Sequence, residues 1–146
     1  MTTSRYREAV ELKIGDDRTF VIISLPDTSH AARARSEGRL TDTEISVDVG
    51  AWSGRYGAHF HETDFSTFAR GLETLSGTLS GDAELSSLDG YLDLTLTGDG
   101  LGHISVRGTA WDTPRLGSHL EISFDIDPTY IPEMRKSVWA ILTPPA

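Results

Sequence analysis

The residues with the plainest chemical potential lie in "AHFHET", residues 58–63, where His59 and His61 stand two positions apart and Glu62 follows the second. On a β-strand, residues i and i+2 project from one face, so both imidazoles could reach one zinc-like ion. His103, His119, Glu121 or Asp125 could supply a third ligand from a neighbouring strand. The spacing has a simpler origin, however. In any alternating strand two polar residues two apart share the solvent face, and the helical H-E-x-x-H pattern of zinc hydrolases is absent. The expectation is no metal and no cofactor, with His59, His61, His103 and His119 as the alternative set.

Other reactive patterns lead elsewhere. "GDGLG" (98–102) looks like a phosphate-cradling glycine run, but such loops feed a helix N-terminus and the residues that follow read as a strand, so a hairpin turn is expected. No G-x-S-x-G is present, which leaves Ser, His and Asp without a local frame for a nucleophilic triad. Asp125 and Asp127 could act as paired carboxylates on one strand face, but a solvated strand position explains Asp125 better, and a helix cap or first-turn acid explains Asp127 better. Without cysteine there is no thiol chemistry and no disulfide, which is compatible with a reducing compartment.

Length and charge bound the rest. A chain of 146 residues fits a single domain, 1–146, able to bury roughly two thirds of its unfolded surface. The N-terminal residues show no apolar run of signal-peptide length, and no stretch approaches the roughly 20 apolar residues of a membrane span, so a cytoplasmic protein without a membrane partner is expected. A net charge of −9 disfavours nucleic acid, whose binding depends on clustered Lys and Arg, and favours a basic partner.

The elements that must position these residues follow from periodicity. "YREAVELKI" and "RTFVIISL" read as two strands around a "GDD" turn, the second apolar enough to be buried on both faces. Residues 26–43 lose apolar periodicity and read as a long flexible loop. Alternation resumes in "EISVDVGAW" and "RYGAHFHE". From Thr63 the period becomes helical, with Thr63 as N-cap, Phe65, Phe68, Ala69, Leu72 and Leu75 as the apolar stripe, and Gly77 beyond the end. Four more strands follow, with Asp89-Gly90 and Asp99-Gly100 at turns, and a second helix carries Ile131, Met134, Val138, Ile141 and Leu142 behind a cap at Asp127 or Thr129. Trp139 is placed at the edge of that stripe. The expected fold is α+β: a mostly antiparallel sheet of about eight strands with two helices packed on one face.

The other face then holds whatever binds. It presents Glu44 and Asp48, then Asp93, His103 and Arg107, then His119, Glu121 and Asp125, an acidic surface rich in Ser, Thr and His. Trp52 and Trp111 fall at strand ends, where a half-exposed ring can anchor a partner. The candidate partner-binding set is Glu44, Asp48, Trp52, Asp93, Trp111, Glu121 and Asp125, with no catalytic residue.

"DFSTFARGLETL", the strand pattern "GHISVRG" and the junction "FDIDPTY" occur in an order that resembles small bacterial proteins of a family of unknown function, common in actinobacteria and similar to the WapI-type immunity proteins. The resemblance covers roughly residues 43 to 142. It implies a non-enzymatic antitoxin that binds the toxic domain of a polymorphic secreted toxin, often a nuclease. The alternative reading is a small-molecule or metal-binding domain, or a hydrolase, that uses the His and acidic residues of the exposed face. The sequence leaves the identity of the toxin and the oligomeric state open.

Overall fold

The computed structural model describes residues 10–25, 37–114 and 116–142. Among them are eight strands and two helices in the order β1 (Val10–Gly15), β2 (Phe20–Leu25), β3 (Arg39–Val49), β4 (Trp52–His61), α1 (Glu62–Thr78), β5 (Ser80–Ser86), β6 (Leu92–Asp99), β7 (Ile104–Trp111), β8 (His119–Ile126) and, after a 3-10 turn at Pro128–Tyr130, α2 (Ile131–Leu142). The class is α+β and every strand pairing is antiparallel.

The strands form two sheets where one was expected, each a four-stranded meander, β1-β2-β3-β4 and β5-β6-β7-β8. Alternation along a strand reveals which face is buried but not which strands share a sheet, so one-sided patterning fits both arrangements. Each meander runs directly into a helix, and the two halves thus share one topology. The inner faces contribute Leu12, Ile14, Val21, Ile23, Ile45 and Val47 from the first sheet and Leu85, Leu94, Leu96, Ile104, Val106 and Ile122 from the second, to a single continuous core.

The helices close that core and cross-brace it. Helix α1 lies on β5, the strand after it, and on α2, while α2 lies on β1 at the far end of the chain. Gly71 lets α1 approach closely, since a Cβ there would sit 2.5 Å from the Ala83 Cα. Between the helices, Arg135 forks onto both Glu73 oxygens at 2.8 Å and donates to Ser76 Oγ at 3.1 Å.

Several local expectations need correction. Strand β3 begins at Arg39 with Leu40 and Thr43 buried, so residues 39–43 are not loop; a register irregularity between Leu40 and Thr43 breaks the alternation that would have announced them. The remainder of the expected loop, residues 26–36, lies outside the described residues. Strand β2 buries only Val21, Ile23 and Leu25 fully, and Phe20 and Ile22 are half-covered on the outer face, where Lys13 lies 5.2 Å from the Phe20 ring. Helix α1 starts at Glu62, not after Thr63, because Asp64 reaches back to accept the His61 N–H at 2.9 Å. It ends beyond Gly77, at Thr78, and Leu79, with a φ of 56°, makes the left-handed cap that glycine was expected to provide. Ahead of α2, Asp127 caps the 3-10 turn that leads into the helix, accepting the Thr129 N–H at 2.9 Å.

Candidate functional site

The paired histidines of β4 hold protein. His59 meets the Tyr91 ring edge-on at 6.0 Å, and His61 Nε2 lies 3.4 Å from Asp89. Both partners belong to the β5–β6 turn, which is further tied to β4 and α1 by Ser87 Oγ donating to the His59 carbonyl and by the Leu88 N–H reaching Asp64. The i, i+2 spacing thus docks one half of the molecule on the other.

The remaining histidines are elsewhere. His103 precedes β7 and His119 pairs with Trp111 at its far end, eight residues along, or roughly 26 Å at about 3.3 Å per residue. Among the described residues no three His, Asp or Glu side chains gather in a metal-binding group. The "GDGLG" segment is a hairpin turn: Asp99 Oδ1 accepts the Leu101 and His103 N–H groups at 2.7 and 3.1 Å, which holds its carboxyl below the usual carboxylate range.

The candidate partner-binding residues divide between the two sheets. Glu44 and Asp48 stand on the outer face of the first, where Glu44 lies 3.6 Å from Arg55 across the strand pair and Asp48 is half-covered. On the outer face of the second, cross-strand register builds rows: Ser86, Asp93, Thr109 and Glu121, then Glu84, Thr95, Arg107 and Ser123, then Asp82, Thr97, Ser105 and Asp125. Asp93, Glu121 and Asp125 are exposed with Asp82 and Glu84, and Arg107 donates to Ser123 instead of to any of these acids. The acidic surface anticipated from the sequence is thus concentrated on the second sheet.

The tryptophans mark the place where the sheets meet. Trp111 packs against His119 at 4.5 Å between ring centres. Trp52, 67% exposed, forms one wall of a cleft of about 260 Å³ whose other walls include Gly54, Tyr56 and Leu120. The Tyr56 hydroxyl crosses between the sheets to donate to the Tyr91 carbonyl at 2.7 Å, and burial raises its pKa well above that of a free phenol. This cleft was not legible beforehand, because β4 and β7 are 58 residues apart at Trp52 and Ala110 and only the tertiary fold sets them face to face. Trp139, 53% exposed, sits apart at a groove between α1 and α2. None of the described helices is long and apolar enough to cross a membrane.

A chain of a guide-RNA-binding protein complex bound to a gRNA superposes with a TM-score of 0.51 at 12% identity, covering 95% of this chain and 94% of that one. A chain of the MRP1/MRP2 structure from Trypanosoma bruciei gives 0.49 at 12% identity, with 97% and 90% covered. At such identity the first likeness speaks to the fold alone. No curated protein matches the chain. The Immunity protein WapI-like family matches residues 4–144, and the chain belongs to that family.

Proposed function

We propose that the chain is a non-enzymatic antitoxin that binds the toxic domain of a secreted toxin in the cytoplasm and blocks it. The family match over residues 4–144 carries this reading. The charge supports it in a specific way. A toxin acting on nucleic acid needs a basic cleft, and an acidic partner is drawn to such a cleft by long-range attraction and then held by a few buried anchors. The net charge of −9 and the exposed carboxylates of the second sheet suit that partner. Trp52, Trp111, Asp93, Glu121 and Asp125 form the centre of the proposed interface, with Glu44 and Asp48 contributing from the first sheet.

RNA is not carried over from the structurally similar proteins. The likeness is one of fold, and rows of exposed carboxylates on a sheet repel a phosphate backbone. The test is to express the reading frames that flank this gene, and to co-express with this chain any whose product kills on its own. Rescue of growth together with co-purification of a stable complex is expected; continued killing with no complex would reject the reading.

A further inference from the structure

The geometry points to strand addition at the free edge of β4 as the way the partner docks: an extended, basic segment of the toxin pairs with Ser53–Gly57 and inserts one apolar side chain into the cleft beside Trp52. This rests on the reading of the chain as a toxin-binding protein and adds where and how it binds.

Strand β4 ends the first sheet. Val49 and Trp52 flank the two-residue Gly50-Ala51 turn, and the pairing then runs Asp48 with Ser53, Val47 with Gly54, Ser46 with Arg55, Ile45 with Tyr56 and Glu44 with Gly57. The pair closing a two-residue hairpin is hydrogen-bonded, and bonded and non-bonded pairs alternate from there. Gly54 and Tyr56 therefore bond to β3, while Ser53, Arg55 and Gly57 aim their N–H and C=O groups outward. Among the described residues none of those three backbones has a partner on that side.

The other three sheet edges differ. Strands β1 and β5 lie under α2 and α1, and β8 bears exposed Glu121 and Asp125 along its edge. Proteins normally blunt a free edge with Lys, Pro, charge or a bulge. Along Ser53–Gly57 there is one charged residue, Arg55, which already faces Glu44, and two of the five residues are glycines. The edge is left open to pairing.

The cleft gives this edge its specificity. Trp52, Gly54 and Tyr56 project toward the second sheet, and the missing side chain at Gly54 opens the gap between the two rings: a Cβ built there meets nothing within 4 Å. At about 260 Å³ the cleft falls below the roughly 300–1,000 Å³ typical of small-molecule sites, which favours a single inserted side chain. Trp, Tyr and Arg, the residue types richest in binding energy, all line it. The flanks of the incoming strand are basic by complementarity, because exposed Asp112 and half-covered Asp48 border the cleft and its edge while Arg55 is occupied. Such recognition takes affinity from main-chain hydrogen bonds and selectivity from alternate side chains.

Two substitutions separate the parts. Gly54→Leu puts a side chain into the gap, where its Cβ meets nothing within 4 Å, and Ser53→Pro removes one outward N–H while leaving the β3–β4 ladder intact, as edge strands permit. The full chain is titrated with the purified toxin domain that the co-expression test identifies, with residue-resolved amide exchange and affinity as readouts and thermal unfolding as the control for folding. We expect new protection at Ser53, Arg55 and Gly57 in the complex, and each variant to lose about 30-fold or more in affinity, the scale of a hot-spot loss. A complex that forms without protection at those three amides, or that both folded variants bind as tightly as wild type, overturns strand addition and leaves the antitoxin reading standing. No complex with wild type overturns both.

Discussion

Asp16, Asp99 and Asp127 each accept backbone N–H groups within their own turns, and these bonds lower all three carboxyl pKa values. Because the folded value lies below the unfolded one, the stability they contribute is present above about pH 3.9 and is lost as the pH falls through the depressed folded value. We therefore expect the gap in denaturation midpoint between wild type and Asp99→Ala to be open at neutral pH and to close in acid; a gap that widened below pH 4 would show the sign to be wrong. Tyr56 is the other telling residue. Tyr56→Phe removes the hydroxyl that bridges the sheets to Tyr91, and should cost about 0.5–1.5 kcal/mol in urea unfolding, since the Tyr91 carbonyl keeps the Trp111 N–H as a second donor. At this scale much was readable in advance: Asp127 as a cap and Asp99-Gly100 as a turn follow from local chemistry. The role of His59 and His61 was not, because their partners Tyr91 and Asp89 are about 30 residues away and two polar residues on one strand face look alike whatever they touch.

The helices were legible as elements because their stripes are long and regular. Phe65, Phe68, Ala69, Leu72, Leu75, Ile131, Met134, Val138 and Ile141 are all buried. Their ends were less so: Asp64 and the left-handed Leu79 moved the limits of α1 by a residue or two, as tertiary contacts at termini often do. The stripe predicts its own energetics. Leu72→Ala should cost about 2–5 kcal/mol as a fully buried truncation, whereas Glu73→Ala, which breaks the half-exposed pair with Arg135, should cost no more than about 1 kcal/mol. Gly71→Val should cost more than either helix propensity or size alone implies, because the side chain would meet the β5 backbone at Ala83. Equal unfolding midpoints for Gly71→Val and wild type would mean that α1 does not approach β5 as closely as described.

Across the whole molecule, one-sided patterning gave the right inventory of strands and helices but joined them into a single sheet. Two meanders with one shared core satisfy the same alternation, and only the strand pairing, which stops at β4 and starts anew at β5, distinguishes the arrangements. The division matters for function, since it gathers exposed Asp82, Glu84, Asp93, Glu121 and Asp125 on one outer face, with Arg107 among them, and leaves the first sheet's Glu44 facing Arg55. That asymmetry makes the central claim measurable. The affinity of the cognate toxin domain for wild type is compared with that for the triple reversal Asp93→Lys, Glu121→Lys, Asp125→Lys, at low and physiological salt. The account predicts that the reversal slows association, weakens binding by at least about tenfold and flattens its salt dependence. Unchanged affinity and salt dependence in a folded triple variant would contradict it.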